Sequence, residues 1–335
     1  MSSGVTNGQA GGVATRRRAL LLAAPALAAA RPGAAQSFPT RPIRMIVPIG
    51  PGSASDILAR VVAEGLATRF GVPVPVENRA GAGGVIGAEV VARAAPDGHT
   101  LLMGSISTHG INPTLYPRIP YDAVADFAPV AFGAASPNVL VVHPDSPFRG
   151  VADILAAARA RPGELTYSSG GAGTSQHFGG VVMEQLTGVR LSHVPFRSTP
   201  ESVNAVIAQN VTMTFASVPV ALSAAQGGRL RPLGLSGTRA MPGWPEVRPL
   251  AEVGLPGFDV VAWFGFLAPA RTPDYAITRL HEGVREVLAQ PAARERVESL
   301  GMQILDGSPA EFGEFMRREI ARWAPIVRAS GATAD

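Results

Sequence analysis

The sequence predicts an α/β fold with two similar halves that face one another across a cleft. Short apolar runs alternate with helical segments, and this rhythm is typical of a parallel sheet covered on both faces by helices. The first unit, a strand followed by the turn PIGPGSASD and a helix, recurs about 120 residues later. Open α/β sheets bind ligands at the carboxyl ends of their strands, so two facing units would bring both turns into one cleft.

The elements of the first half follow in a regular order. The first strand is IRMIVPI, and the helix after it places Leu58, Val61, Val62 and Gly65 on one face. The second strand is VPVPVEN, the next helix is the small-residue segment GGVIGAEVVARA, and the third strand is HTLLMGS. This third strand ends in a polar turn, as the first one does.

The second half repeats the arrangement. The strand NVLVVHP leads to the helix VADILAAARARPG, and LTYSSGGAGTSQHFGGVVMEQLTG then supplies a strand, a polar turn and a helix. Three short strands, HVPF, VTMTFA and LRPLGLS, are separated by the helical segments PESVNAVIAQ and VPVALSAAQGG. The strand VVAWFGFLAP leads to two last helices, TPDYAITRLHEGVREVLAQ and PAEFGEFMRREIARWAPIVRAS.

The first 35 residues have the pattern of a secretory signal peptide. Three arginines at 16–18 precede an apolar run at 19–30 and a small-residue end at 33–35. The run is too short for a membrane span of about 20 residues. Cleavage near Ala35 would remove four arginines and no acid, which accounts for the whole formal charge of +4. We expect export to the periplasm by the Sec route or by a twin-arginine signal, and no nucleic-acid partner.

Composition excludes several kinds of chemistry. The sequence has no lysine and no cysteine, so Walker, Schiff-base and thiolate chemistry are excluded. None of the six histidines has HxxxH or HExxH spacing, and we expect no metal and no cofactor. The glycines of NRAGAGGVIG miss the GxGxxG pattern because position 86 is Ile, and they indicate tight turns and close helix packing.

Five blocks of the chain resemble the substrate-binding proteins of tripartite tricarboxylate transporters, also called Bug or TctC-like receptors. In chain order they are PTRPIRMIVPIGPGSASDILAR, VENRAGAGGVIGAEVVARAAPDGHTLL, HVPF, GLPGFDVVAWFGFLAPARTP and EIARWAPIVRASG. The resemblance implies a periplasmic binding protein type II-like fold, whose two α/β lobes close on a small organic acid. We place the signal peptide at 1–35, lobe 1 at 36–140 plus 262–335, and lobe 2 at 141–261.

The turn PIGPGSASD is the first half of the predicted ligand site. A small anion in a cleft needs hydrogen bonds, and the N–H groups at a helix N-terminus supply them. The expected contacts are Pro51, Gly52, Ser53, Ser55 and Asp56. Ser53 and Asp56 also suit helix capping, and this alternative stays open. If Asp56 faced the cleft, it would favour a ligand with an ammonium or hydroxyl group. Ser53 departs from similar family members, which commonly have Gly there.

Further ligand contacts are expected on four other segments of the chain. They are Ser105, Thr108, Ser169, Gly173, Thr174, Arg197, Ser198 and Ala216. Arg197 could pair with a carboxylate through both arms of its guanidinium, with a solvent-exposed role as the alternative. Ala216 stands where family members usually carry an acid. The loss of that acid would remove a negative wall from the cleft, or an acceptor for a ligand hydroxyl or ammonium.

The resemblance implies a non-enzymatic receptor that passes a carboxylate to membrane permease subunits. We expect it to act as a monomer. One alternative is a sensor of the same fold that signals to a membrane partner. A hydrolase is the other alternative, but Ser175 and His177 lie only two residues apart at a helix start, and no GxSxG motif occurs.

Overall fold

The computed structural model describes residues 38–241 and 243–334, together with Gln9 and Gly11. The predicted signal peptide at 1–35 therefore falls almost wholly outside the described residues. Within the described part of the chain, no helix has both the length and the apolar character needed to cross a membrane.

Ten strands of the described residues form a single mixed sheet. They are β1 (Arg44–Val47), β2 (Val76–Asn78), β3 (Thr100–Ser105), β4 (Phe127–Val142), β5 (Thr166–Ser169), β6 (Ser192–Pro195), β7 (Met213–Ser217), β8 (Arg231–Leu235), β9 (Val261–Pro269) and β10 (Gln303–Ile304). The strand order is β2-β1-β3-β9-β4-β7-β5-β6, and β8 and β10 also pair with β4.

Ten α-helices cover this sheet in the described residues. They are α1 (Ala54–Phe70), α2 (Val85–Ala92), α3 (Asn112–Leu115), α4 (Val151–Ala160), α5 (Ser175–Thr187), α6 (Thr199–Ile207), α7 (Val218–Gln226), α8 (Asp274–Ala289), α9 (Pro291–Glu298) and α10 (Pro309–Ser330). Short turns of 3₁₀ and π type, Ala82–Gly84 and Ser107–Ile111, precede α2 and α3.

The sheet consists of two parallel halves joined by antiparallel strands. β1 pairs in parallel with β2 and β3, and β5 pairs in parallel with β6 and β7. Strand β4 joins them, because its residues 127–137 pair with β9 and its residues 138–142 pair with β7. The carboxyl ends of parallel strands from both halves therefore meet beside the middle of β4 and the start of β9.

The first helix is positioned by the apolar face that the sequence predicts. Leu58 and Val62 are fully buried, and Val61 is nearly so. Gly65 lies against Val287 of α8, where a Cβ atom would come within 2.5 Å of a valine methyl group. This packing holds the N-terminus of α1 directly after β1.

Strand β4 is much longer than the predicted strand NVLVVHP. Its first part contains Pro129 and Pro137 and has two irregularities in its pairing with β9. Proline cannot donate a hydrogen bond to the ladder, so a segment with these two residues does not have the sequence pattern typical of a strand. Helix α9 is also absent from the prediction, because Val297 is its one buried residue and its apolar periodicity is weak.

Candidate ligand-binding site

A cleft lies where the two halves of the sheet meet. Its empty volume is about 560 Å³, which includes solvent at its mouth. Its wall combines the segments that follow β1 and β3, the starts of α1 and α5, the end of β7, and the crossing strands β4 and β9. This is the strand-end position at which open α/β sheets bind ligands.

Four of the residues predicted from sequence line this cleft. They are Ser53, Ser55, Ser105 and Thr174. Ser53 and Thr174 are also the N-cap residues of α1 and α5, and each accepts a hydrogen bond from the N–H three residues later. Capping and lining the cleft therefore coincide at these two positions.

The start of α1 leaves backbone donors at the cleft wall. The Ser53 hydroxyl accepts from the Asp56 N–H at 3.4 Å and donates to the Gly50 carbonyl at 3.0 Å. Among the described residues, no group accepts a hydrogen bond from the N–H of Ala54 or Ser55. Such first-turn donors have no partner within the helix and are available to an anion.

The carboxylate of Asp56 is hydrogen-bonded to other protein groups, and Asp56 does not line the cleft. Its carboxylate accepts from Arg60 Nε and Nη2, both at 3.0 Å, from Asn78 Nδ2 at 2.8 Å and from the Gly52 N–H at 2.9 Å. Burial opposes ionisation of Asp56, but these hydrogen bonds outweigh it and lower its pKa. The charge of Asp56 is therefore compensated by protein groups.

The second turn of the site, residues 170–174 between β5 and α5, is held by a hydrogen-bond network that the sequence largely does not predict. Gln176 accepts from the Gly170 N–H and donates to Thr199 Oγ1, both at 2.6 Å. Asn138 Nδ2 lies 3.1 Å from Ser175 Oγ and donates to it. Four side chains of this network line the cleft, although they come from β4, α5 and α6: Asn138, Ser175, Gln176 and Thr199.

Ser217 is the cleft residue with the clearest capacity to bind a ligand. It ends β7 immediately before α7, it is 4% exposed, and its hydroxyl finds no hydrogen-bond partner among the described residues. Ala216, the predicted residue beside it, is fully buried in the apolar cluster behind the strand. Successive strand residues point to opposite faces, so Ser217 rather than its neighbour reaches the cleft.

Several predicted residues lie close behind the cleft wall. Thr108 is fully buried and bonds to the Ser105 N–H and to His109 Nδ1. Ser169 Oγ lies 2.6 Å from His193 Nε2, and the Gly173 N–H donates to His177 Nδ1 at 3.1 Å. Ser198 caps α6. These residues shape the turns around the cleft.

The remaining predicted residues lie at its edges. Pro51 is exposed, and Gly52 borders a surface groove beside α6 and α7. Arg197 is exposed and makes no ion pair with any described residue. It lines a neighbouring cavity that shares Pro48, Ile49, Gly83 and Gly84 with the cleft.

Two stacked histidines support the second turn from behind. The rings of His177 and His193 lie 4.0 Å apart with 11° between their planes. Burial lowers the pKa of His177 to about 3, with a further contribution from His193, and burial lowers the pKa of His193 to about 4. Both rings are therefore neutral near pH 7 and pack as aromatic groups. Neither lines the cleft, so a serine–histidine reaction centre has no support at this site.

The described residues offer no centre for a metal ion. No cluster of three or more histidine, aspartate or glutamate side chains with suitable placement occurs among them. The polar groups of the cleft wall are hydroxyls, amides and backbone N–H groups, which suit an organic anion better than a cation.

Comparisons with known proteins identify relatives of this chain. Residues 58–332 match the family model TctC, described as the tripartite tricarboxylate transporter family receptor. The protein BugT of Bordetella pertussis is 34% identical over 304 residues, which cover 90% of this chain and 93% of BugT. The UPF0065 protein in the tcbD-tcbE intergenic region of Pseudomonas sp. strain P51 is 38% identical, with 87% of each chain covered.

Solved structures give the same result. An R. palustris protein with adipate superposes with a TM-score of 0.85 at 31% identity, covering 88% of this chain and 98% of that one. MatC from Rhodopseudomonas palustris with bound malate gives 0.83 at 30% identity, covering 87% and 100%. The predicted fold and family are thereby confirmed, and the family is one of receptors, not of enzymes. The chain belongs to the tripartite tricarboxylate transporter family of receptors.

Proposed function

We propose that this chain is a periplasmic receptor that captures a small organic anion and delivers it to a tripartite permease. The observation that carries the proposal is the cleft wall: the starts of α1, α5, α6 and α7 meet there, beside the hydroxyl of Ser217, which has no hydrogen-bond partner among the described residues. Helix N-termini favour negative charge, and their free N–H groups replace the water that a buried carboxylate loses.

The relatives support a carboxylate as the ligand. Two solved neighbours at 30–31% identity carry adipate and malate, which are both dicarboxylates. A dicarboxylate or tricarboxylate would place its charged groups between the two turns. We propose Ser53, Ser55, Ser105, Thr174 and Ser217 as its contacts.

The proposed capture involves closure of two lobes, 36–140 plus 262–335 and 141–261. The strands that join the halves, β4 and β9, would act as the hinge, since hinges are formed by a few residues that connect otherwise rigid bodies. Arg197, which lines the cavity beside the cleft, would then attract an anion towards the site and help to hold it. We propose that the mature chain does this as a monomer, after removal of the signal peptide.

A thermal-shift screen of the purified mature chain tests the proposal. The panel contains dicarboxylates, tricarboxylates and aromatic acids, with neutral sugars as controls. A ligand present at about 100 times its Kd should add about 2.7 kcal/mol to the free energy of unfolding. Stabilisation by neutral solutes and by no organic anion would contradict an anion receptor.

Delivery to a permease requires a separate test. Cells that produce the cognate permease subunits should take up the best acid only when this receptor is also present. Uptake that is unchanged without the receptor would contradict the delivery step and would leave the binding result standing.

A further inference from the structure

The cleft wall is polar, and none of the described residues that line it has an ionisable side chain. The described residues that line it are serines, threonines, one asparagine, one glutamine, glycines and apolar residues. A ligand therefore meets only partial charges from hydroxyls, amides and backbone groups on the described wall, and the charge of Arg197 lies in the neighbouring cavity.

Two acids close to the wall in sequence, and a third that is bonded to Trp263 between two wall residues, are engaged elsewhere. Asp56 is held by Arg60 and Asn78, as described above. Glu201, near the start of α6, is exposed and accepts the Arg197 N–H. Glu319 accepts the indole N–H of Trp263, whose ring points away from the cleft that Ala262 and Phe264 line. None of these carboxylates supplies a negative wall.

The helix ends make the wall unfavourable for a cation. Helices α1, α5, α6 and α7 all begin at the cleft, and each N-terminus carries about half a positive charge. An ammonium group bound there would lose its hydration, would face the positive ends of these four helices and would find no carboxylate partner among the described residues of the wall. A ligand carboxylate also loses hydration, but the helix N–H groups and Ser217 Oγ can donate to it, and Ser217 Oγ can accept from a ligand hydroxyl.

We propose that the cleft selects organic acids that lack an ammonium group and discriminates against the corresponding amino acids. The inference rests on the proposed receptor function and narrows its ligand class. Succinate, glutarate and malate fall within the class, whereas aspartate and glutamate fall outside it.

Calorimetric titration of the mature chain with matched probes tests this selectivity. Succinate, malate and aspartate form one set, and glutarate and glutamate form another. Within each set that binds, we expect the amino acid to bind at least tenfold more weakly than the acid without nitrogen. A smaller ratio overturns the selectivity and leaves the receptor function intact. If none of these five probes binds, the ligand class named here is overturned, and the receptor function is decided by the wider panel of the thermal-shift screen.

Variants of Ser217 test the physical cause. Ser217→Asp adds a carboxylate to the wall at a position where aspartate also suits the start of α7. We expect the aspartate-to-succinate affinity ratio to rise at least tenfold. The matched variant is Ser217→Asn, because asparagine has nearly the size of aspartate and no charge. It should leave the aspartate-to-succinate affinity ratio within threefold of the ratio in the unmodified chain. Equal ratios in the two variants would overturn the charge argument. Circular dichroism shows whether each variant folds, and the titrations of the unmodified chain decide the selectivity in either case.

Discussion

At the scale of single residues, the start of α1 separates two roles that a sequence cannot separate. Ser53 both caps the helix and lines the cleft, whereas Asp56 is buried with its carboxylate taken by Arg60, Asn78 and Gly52. Capping satisfies one N–H and leaves the adjacent donors free, so it does not compete with anion binding. An acid whose charge is already compensated contributes to stability and hardly to ligand choice.

The substitution Asp56→Asn tests this assignment. It removes charged hydrogen bonds from Arg60, and we expect the free energy of unfolding to fall by about 1–3 kcal/mol while affinity for the best acid stays within threefold. Urea denaturation and calorimetry measure the two quantities. The matched control is Glu89→Gln, which breaks a more exposed pair with Arg93 and should cost less than about 1 kcal/mol. A tenfold loss of affinity at unchanged stability would instead make Asp56 a ligand contact.

The stability of the same variant should depend on pH. The folded pKa of Asp56 is lowered, so its contribution is present above the ordinary aspartate pKa of about 3.9 and is lost as the pH falls through the folded value. The stability gap between the unmodified chain and Asp56→Asn should therefore be full at pH 6 and should shrink below about pH 4. A gap that widens on acidification would contradict the role of the ionised carboxylate.

At the scale of elements, the turns depend on groups that lie behind them. The turn after β5 is held by Ser169, His177 and Gln176, of which only Gln176 lines the cleft. The turn after β1 lies against the turn after β6, because a Cβ atom on Gly50 would come within 2.7 Å of Ser198 Cβ. The distance between opposing turns is thus set by small residues at their tips.

The stacked histidines predict a loss of stability in acid. His193 has a folded pKa of about 4, below its ordinary value near 6.5, so its neutral form stabilises the fold fully only above pH 6.5. Between pH 7.5 and pH 5, this one group should cost about 2 kcal/mol. His193→Gln should therefore lose less stability over that range than the unmodified chain, as measured by urea denaturation. Identical losses would contradict the prediction.

Gly50 predicts a specific effect on ligand binding. Its backbone lies outside the left-handed region, so Gly50→Ala adds a methyl group without backbone strain and pushes the two turns apart. We expect at least a tenfold loss of affinity for the best acid, measured by calorimetry. The control is Gly150→Ala, where a Cβ atom meets nothing within 4 Å and affinity should not change. Equal affinities of the two variants would show that the contact at Gly50 is irrelevant to binding.

At the scale of the whole molecule, β4 decides how the two halves of the sheet are related. It changes partners between Pro137 and Asn138, from β9 to β7, beside the cleft. Side chains at this change of partners, Ser136 and Asn138, form part of the cleft wall. A movement of one half against the other would therefore act directly on the bound ligand.

Closure around a ligand should be visible in solution. We expect the radius of gyration from small-angle X-ray scattering to decrease when the best acid is added, because hinge closure brings the two lobes together. Gly50→Ala should contract less at a saturating ligand concentration. An acid that raises the melting temperature without changing the radius of gyration would contradict closure by the two lobes.

The sequence by itself determined the α/β class and the two strand–turn–helix units, because alternating apolar patterns and turn chemistry are local properties. Ser53 and Thr174 could be selected for the same reason. The family followed from the resemblance of five blocks of the chain to known receptors. Only the tertiary structure decided that Asn138, Gln176, Thr199 and Ser217 share one wall, since they lie far apart in the chain and meet through strand crossing. It also decided that Asp56 is compensated by Arg60 and Asn78 and that no ionisable side chain of the described residues lines the cleft. The direction of a side chain and the identity of its partners depend on the packing of distant segments, and no local pattern encodes them.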